Sequence, residues 1–255
     1  MSLESEKAEK NGCKQAICSD EPICSASEDK LHRSELASQI ATILDNINRS
    51  GSSIIGISGP WGSGKSSLVN LVESTVQNRD DNDNKMYKFI HFKPWMFSNQ
   101  SDVFNEFFST ISPNIAYSHF ERLKVWFKNH FGGYSLTVEL PPMRLLLAYQ
   151  QNLINPSPRV SLDKLKEKIS NNLKQSKETF VVVIDDLDRL DVDEIKLIIK
   201  LVRAVADFDN VIYILEYDKL KLCKRLEYDF DSNYLDKIIQ VEIKIPEINS
   251  NILSQ

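Results

Sequence analysis

Glycine is scarce in this sequence, and its distribution is uneven. The 255 residues contain only eight glycines, and four of them (Gly56, Gly59, Gly62 and Gly64) fall within nine residues. Because glycine has no Cβ, such a cluster marks a place where the backbone approaches another group closely. Cysteine is scarce too, and its four copies form no C-x-x-C pair. That spacing disfavours a zinc site and favours free thiols in a reducing compartment.

Long apolar runs are also absent. No stretch approaches the roughly 20 apolar residues that a membrane helix needs, and residues 1–30 lack the apolar core of a secretory signal. The net charge of -5, from 31 basic and 36 acidic residues, gives no clear signal for nucleic-acid binding. We therefore expect a cytoplasmic chain with no transmembrane segment. Residues 1–30, rich in Ser, Glu and Lys, are predicted to form a disordered tail.

Strand-like and helix-like segments alternate along the remaining residues, 31–255. Apolar residues at helical spacing begin at Leu36, and Ser34 is the predicted N-cap of that helix. Short apolar runs predict five strands, at 53–58, 87–92, 180–184, 211–215 and 241–245. Further helices are predicted at 65–77 and 194–205, with a mostly helical insertion at 100–178. The alternation is typical of an α/β fold with a mainly parallel five-stranded sheet and helices on both faces.

The strongest functional signal is a complete phosphate-binding loop, G-x-x-x-x-G-K-[ST], between the first strand and the next helix. The predicted nucleotide-binding residues are Gly59, Pro60, Trp61, Gly62, Ser63, Gly64, Lys65, Ser66 and Ser67. The glycines let backbone N–H groups converge on phosphate oxygens, and the helix N-terminus adds donors and partial positive charge. Lys65 is predicted to contact the β- and γ-phosphates, and the Ser66 hydroxyl to ligate Mg²⁺. The alternative, a glycine-rich turn before an ordinary helix, is disfavoured by the flanking strand and helix.

Two carboxylates follow the apolar run at 180–184. Mg²⁺ prefers oxygen ligands and keeps several waters, so Asp185 is predicted to hold a water on the metal. Asp186 is predicted to orient or deprotonate the attacking water, and with Lys65 it forms the predicted catalytic pair. Alternatively, both aspartates only end a strand and cap the next helix. Arg189 either pairs with a nearby carboxylate or reaches a nucleotide in a neighbouring subunit.

Taken together, these motifs resemble the KAP family of P-loop NTPases, over about residues 31–248. The resemblance rests on G-P-W-G-S-G-K-S (59–66), F-K-P-W-M-F (92–97), I-D-D-L-D-R (184–189) and Y-L-D-K-I-I-Q (234–240). It implies the sheet order 5-1-4-3-2, with one strand between the phosphate-loop strand and the acidic strand. It also implies a metal-binding role for Asp185 and a catalytic-acid position for Asp186. The tip of the fourth strand, 216–218, would face the γ-phosphate as a sensor.

Three functions are compatible with these residues. The favoured one is an ATP-binding, Mg²⁺-dependent, slowly hydrolysing switch domain, and the resemblance implies a role in anti-phage defence or signalling. Such a domain would have a protein partner or self-associate. A small-molecule kinase on the same fold is disfavoured by the added strand. The third is a non-hydrolysing scaffold in which nucleotide stabilises the fold and the 100–178 helices bind a partner. ATP rather than GTP follows from the resemblance and agrees with the absence of N-K-x-D.

Several aromatic and basic groups have two interpretations each. Trp61 either packs against neighbouring helices and stiffens the loop, or fills the edge of the core. The aromatic residues of 92–108 are predicted to be core rather than a base-stacking surface. The basic stretch 219–225 is predicted to be a solvated helix face rather than a polyanion-binding patch. Asp218 and Lys237 have no role that follows from the pattern.

Overall fold

Strands and helices alternate along the chain in the computed structural model. It describes residues 22–23, 25–47, 50–78, 86–97, 99–111, 162–175, 178–226 and 235–246. The helices are α1 (Ser34–Asn46), α2 (Lys65–Gln77), α3 (Gln100–Ile111), α4 (Leu162–Gln175), α5 (Val192–Lys200) and α6 (Lys219–Leu226). The strands are β1 (Ser53–Ser58), β2 (Met86–Phe92), β3 (Glu178–Ile184), β4 (Val211–Tyr217) and β5 (Val241–Lys244). Among the described residues, no helix is both long and apolar enough to cross a membrane.

The five strands form one parallel sheet in the order β2-β3-β4-β1-β5. Counted from the other edge this is 5-1-4-3-2, so the predicted fold class and strand order are confirmed. β4 lies between the phosphate-loop strand and the acidic strand. Because the strands are parallel, their carboxyl ends meet at one edge of the sheet, and the loops after β1, β3 and β4 lie together there.

The sheet is covered on both faces, and β3 shows the alternation that this requires. Its residues Phe180, Val182 and Ile184 pack into one core cluster, together with the apolar faces of α3, α5 and α6. The intervening Val181 and Val183 pack into a second cluster with α1 and α2. Successive side chains of a strand point to opposite faces, so an uninterrupted apolar run fits a strand buried on both sides.

The predicted core role of the aromatic residues of α3 is confirmed. Phe104, Phe107 and Phe108 are fully buried. The rings of Phe107 and Phe108 meet edge to face with centroids 5.2 Å apart, and Phe107 also contacts Phe92 at 5.6 Å. These contacts fix α3 against the end of β2, so this surface is not available for stacking on bases.

Two helix boundaries differ from the sequence-based prediction. Ser34 is the first residue of α1 rather than its N-cap. The side-chain acceptor at this end of the helix is Asp29, whose Oδ2 accepts hydrogen bonds from Ser34 N (2.7 Å) and Ser34 Oγ (2.6 Å). The helix predicted at 194–205 begins at Val192 behind an Asp191–Glu194 capping box, and its last five residues, Leu201–Val205, are π-helical.

Parts of two predicted segments lie outside the described residues. For the predicted tail over 1–30 these are residues 1–21 and 24, and its described part includes a short 3₁₀ turn, Ala26–Glu28. For the predicted insertion over 100–178 they are residues 112–161 and 176–177, while its described parts include the helices α3 and α4. The division into a tail and a domain over 31–255 stays a prediction.

Candidate nucleotide-binding site

The phosphate loop connects the carboxyl end of β1 to the first turn of α2. Gly62 and Gly64 have φ angles of 75° and 83°, in the left-handed region that favours glycine. A Cβ at Gly59 would lie 2.6 Å from Ser63 Oγ, so close packing within the loop also requires glycine there. Gly59 N donates to Tyr217 O (3.1 Å), which joins the loop to the tip of β4.

Some polar groups of the loop have no hydrogen-bond partner among the described residues. In the described part of the chain, no side chain caps the N-terminus of α2, whose N-cap is Gly64. The first N–H groups of a helix then remain as donors for an anion. The buried Ser63 Oγ likewise has no hydrogen-bond partner among the described residues. These free donors fit a bound phosphate group.

The Lys65 ammonium lies across the loop. Its side chain is only 5% exposed. Nζ donates to Gly59 O (3.3 Å) and Pro60 O (3.4 Å), and lies 3.8 Å from Asp186 Oδ1. Long contacts of this kind leave a buried positive charge weakly compensated. Lys65 is therefore placed to gain a closer anionic partner at the loop.

Two carboxylates converge on the Ser66 hydroxyl. Ser66 Oγ donates to Glu216 Oε2 at 2.9 Å and lies 3.4 Å from Asp185 Oδ1. Burial, reinforced by the charge of Asp185, raises the pKa of Glu216 to about 8. A hydroxyl and carboxylates form the oxygen donor set that Mg²⁺ prefers. The residues at the ends of β3 and β4 and at the start of α2 therefore fit a divalent cation.

The described residues do not form a metal site without a nucleotide. They contain no group of three or more His, Cys, Asp or Glu side chains suited to holding a metal ion. Mg²⁺ is usually held by one or two carboxylates together with substrate phosphates rather than by an all-protein cage. The donor set is that of a cation that binds together with phosphate.

Asp186 has an unusual backbone conformation and charged neighbours. Its φ and ψ are 48° and 53°, left-handed values that are rare for a residue with a Cβ and that cluster at functional sites. Arg189 Nη2 lies 2.5 Å from Asp186 Oδ2, and the guanidinium lies 4.8 Å from the centroid of the Trp95 ring. Burial and the charge of Asp185 raise the pKa of Asp186, although Arg189 and Lys65 act in the opposite direction.

The structure selects among the alternatives for Arg189 and Trp61. Arg189 pairs locally, with Asp186, as in the first of its two predicted roles. Trp61 is 72% exposed, so neither predicted packing arrangement is present. A pocket of about 460 Å³ lies beside it, lined by residues that include Pro22, Trp61, Gly62, Lys65, Asp186 and Arg189.

The three residues at the tip of β4 have different partners. Glu216 contacts Ser66, whereas the Tyr217 hydroxyl donates to Glu242 Oε1 (3.2 Å) on β5. Asp218 caps α6, since its Oδ1 accepts from Leu220 N (3.1 Å) and Lys221 N (3.2 Å). The implied sensor role of 216–218 stays a prediction, and Glu216 is the one of these three residues whose side chain contacts Ser66. A signal for it exists in the sequence: Glu216 is the charged residue in the otherwise apolar or aromatic strand VIYILEY.

The described part of the motif at 234–240, residues 235–240, contacts the sheet. Gln240 Oε1 accepts from Ile54 N (2.6 Å) and Gln240 N donates to Ile54 O (3.0 Å), so the residue before β5 pairs with β1 through both backbone and side chain. Lys237 O accepts from Arg203 (3.4 Å).

The sequence predicts that the basic stretch 219–225 is a solvated helix face, but two of its side chains also make structural contacts. Lys219 Nζ lies 2.7 Å from Glu242 Oε2 and 3.4 Å from Asp236 Oδ1. Arg225 donates to Leu190 O. These contacts join α6 to β5 and to the segment after Asp186, so part of this charge has a structural role.

A phosphate loop on a parallel sheet, with carboxylates at the ends of β3 and β4, defines a P-loop nucleotide-binding protein. The sequence profile of the KAP family P-loop domain matches residues 33–255, and the chain belongs to this family.

The chain is also similar to proteins of known name or structure. The phage T7 exclusion protein of Escherichia coli (strain K12) is 27% identical over 259 residues, which covers 89% of this chain and 34% of the relative. The chain therefore spans about a third of that protein's length. Among solved structures, the Aeropyrum pernix ORC2 protein (ADPNP-ADP complexes) has a TM-score of 0.47 and 14% identity, covering 87% of this chain and 50% of the other. PCH-2 of C. elegans has a TM-score of 0.38 and 16% identity, covering 86% and 44%.

Proposed function

We propose that this chain is an ATP-binding, Mg²⁺-dependent, ATP-hydrolysing switch domain. The observation that carries the proposal is the position of Ser66 Oγ, 3.4 Å from Asp185 Oδ1 and directly after a phosphate loop with free backbone donors. This contact supports a site in which phosphate-binding and cation-binding groups are neighbours. The pocket of about 460 Å³ beside them is open to a nucleotide.

Each residue has a defined task in this proposal. The backbone N–H groups of the loop and the Lys65 ammonium bind the β- and γ-phosphates, while Ser66 and Asp185 hold the cation. Mg²⁺, when bound, neutralises the charge that develops on the transferred phosphoryl group. Asp186 orients the attacking water and accepts a proton at a carboxylate oxygen. Phosphoryl transfer needs little more from a protein than such positioning and charge stabilisation.

Turnover is expected to be slow, because the second carboxylate belongs to the short side chain of Asp186 and Arg189 pairs with it rather than with a nucleotide. The Asp186 carboxylate lies 2.5 Å from Arg189 Nη2 and 3.8 Å from Lys65 Nζ. The same observation favours a second candidate, a non-hydrolysing scaffold in which nucleotide only stabilises the fold. A small-molecule kinase has less support, because β4 separates the phosphate-loop strand from the acidic strand.

The test combines nucleotide binding with hydrolysis in four variants. Lys65→Ala should weaken ATP binding at least about tenfold, because a buried charge on the phosphates is lost. Asp186→Asn should bind ATP with nearly the affinity of the parent and lose about 10²-fold or more of its hydrolysis rate. Lys168→Ala and Asp193→Asn are the matched controls, since both side chains are exposed.

The outcomes separate the candidates. ATP binding and a raised melting temperature without hydrolysis in the parent would support the scaffold. Parent-like activity in both Lys65→Ala and Asp186→Asn would reject the proposed site. Competition of ATP binding by GTP tests the proposed preference for ATP, which is expected to be at least about tenfold.

We further propose an anti-phage role, supported by the similarity to the phage T7 exclusion protein. Escherichia coli that expresses the full chain should plate phage T7 less efficiently than cells that express Lys65→Ala. Asp193→Asn should protect as the parent does. Equal plating on parent and Lys65→Ala cells would remove the support for a nucleotide-dependent role against this phage. Self-association is proposed as the switch output, and molecular mass measured with and without ATP tests it.

A further inference from the structure

A glutamate is buried in the apolar strand β4, beside the phosphate loop. Glu216 is 1% exposed, and its neighbours Leu215 and Tyr217 are fully buried. Burying a carboxylate costs several kcal/mol unless it gains hydrogen bonds or a counter-charge. The position therefore calls for a partner that compensates the carboxylate.

The described side chains give Glu216 little compensation. Its hydrogen bond from Ser66 Oγ, at 2.9 Å, is shared with Asp185 Oδ1 at 3.4 Å, so two acidic groups crowd one hydroxyl. The Lys65 ammonium donates instead to the carbonyl oxygens of the loop and lies 3.8 Å from Asp186. Both basic side chains at this edge, Lys65 and Arg189, thus lie beside Asp186, and Glu216 depends on the Ser66 hydroxyl.

We propose that Glu216 is a third oxygen ligand of the nucleotide-bound divalent cation, beside Ser66 and Asp185. This inference rests on the proposed function. In an octahedron with bonds of 2.0–2.1 Å, neighbouring ligand oxygens lie about 2.9 Å apart. Ser66 Oγ and Glu216 Oε2 have that separation. The strand order supports the placement, because β4 is next to β1 and its tip faces the start of α2.

A second carboxylate makes the site more dependent on its cation. Without a cation, the buried carboxyl group of Glu216 has no counter-charge beside Asp185 and the triphosphate. With a cation, both carboxylates and the phosphates share a double positive charge. We therefore infer that the cation and the nucleotide bind with strong mutual dependence, and that Glu216 accounts for part of it.

The experiment measures cation binding directly, without turnover. Mn²⁺ is titrated into the full chain with the non-hydrolysable ATP analogue AMP-PNP, and free Mn²⁺ is followed by electron paramagnetic resonance. Glu216→Gln keeps the size of the side chain and an acceptor oxygen but removes the charge. We expect its Mn²⁺ dissociation constant to rise about tenfold. In EDTA, the same variant should bind AMP-PNP at least as tightly as the parent, because the substitution adds no charge that repels the triphosphate.

Glu242→Gln is the matched control. Glu242 is a partly buried carboxylate on β5 that contacts Tyr217 and Lys219 rather than Ser66. The Mn²⁺ affinity of the Glu242→Gln variant should stay within twofold of the parent value. If Glu216→Gln fails to fold, as judged by thermal unfolding, Glu216→Asp replaces it. That variant retains the charge on a shorter arm and should weaken Mn²⁺ binding by a smaller factor.

The failures of the two proposals are distinguishable. A parent chain that binds neither AMP-PNP nor Mn²⁺ would overturn the proposed function itself. A parent that binds both, with Glu216→Gln unchanged in Mn²⁺ affinity, would overturn the ligand role of Glu216. If Glu216→Gln kept its Mn²⁺ affinity but lost ATP hydrolysis, Glu216 would instead be assigned a contact with the attacking water.

Discussion

At the amino end of the sheet, Asp207 and Asp209 accept hydrogen bonds from protein donors. At the carboxyl end, the consecutive carboxylates Asp185 and Asp186 repel each other, although Arg189 pairs with Asp186. Asp207 Oδ1 accepts from Ser52 N (2.8 Å) and Ser52 Oγ (2.9 Å). Asp209 Oδ1 accepts from Gly51 N (2.5 Å), and its other oxygen lies 2.7 Å from Lys174 Nζ. These contacts join the start of β1 to α4 and to the turn before β4, so the carboxylates there stabilise the fold.

The carboxyl end has the opposite electrostatic character. Burial and neighbouring acidic groups raise the pKa of both Asp186 and Glu216. Asp209 is also partly buried, yet hydrogen bonds from Lys174 and from the Gly51 backbone lower its pKa. At the amino edge of the sheet, protein donors compensate the carboxylates, whereas at the carboxyl edge burial and neighbouring carboxylates disfavour their charged forms. Active sites are often less stable than the scaffold for this reason.

The largest expected effect is a difference in the free energy of unfolding between variants at the amino and carboxyl ends of the sheet. Asp207→Ala should lower the free energy of unfolding by about 2 kcal/mol, because the Ser52 backbone N–H loses its acceptor. Asp186→Asn should leave that free energy unchanged or raise it by less than about 1 kcal/mol, since a crowded charge is removed. Urea denaturation of both variants provides the measurement. A loss as large in Asp186→Asn as in Asp207→Ala would contradict the comparison, and the exposed Asp193→Ala is the control.

A smaller effect is expected at Arg189, which acts through Asp186. Arg189→Ala should reduce kcat for ATP about tenfold, because the Asp186 carboxylate loses its closest partner and turns towards Lys65. KM should change less than threefold. Arg189→Lys should restore part of the rate, as a cation remains at the same place. Steady-state kinetics decide the matter: an increase in kcat after removal of Arg189 would mean that the ion pair restrains Asp186 instead of positioning it.

The smallest effect concerns pH at the amino end. Because the pKa of Asp209 is lower in the folded chain than its usual 3.8, its contribution to stability is complete above that pH and is lost as the pH falls through the folded value. Asp209→Asn should therefore flatten the decline in unfolding free energy between pH 5 and pH 3, by about 0.5 kcal/mol. Unfolding curves at several pH values test this. An identical decline in parent and variant would assign the acid sensitivity to other groups.

Local sequence predicts the scaffold of the site well. The ranges 53–58 and 65–77 for β1 and α2 agree with the structure, because a β-branched run and a glycine-rich loop mark their ends. The sheet order was implied by the family resemblance rather than by any local pattern. The convergence of Ser66 and Asp185 then follows from two strand ends in a parallel sheet.

Other features depend on tertiary geometry that no local pattern contains. The acceptor for Ser34 comes from Asp29, five residues upstream, so the predicted N-cap is wrong. The role of Glu216 depends on the register of β4 against β1, in which Ser58 lies opposite Tyr217. The partner of Arg189 depends on the turn after β3, where Asp186 adopts a left-handed conformation. Each of these is a pairwise contact, set by packing rather than by propensity.

The pairing of β5 with β1 has a mechanical consequence. Gln240 N donates to Ile54 O (3.0 Å) at one end of β5, and Ile245 N donates to Ser58 O (2.8 Å) at the other. A Cβ at Gly59 would lie 3.2 Å from Ile245 Cβ, so the last residue of this ladder lies against the phosphate loop. A force applied at Ile245 would therefore act directly on the phosphate loop as well as on β1.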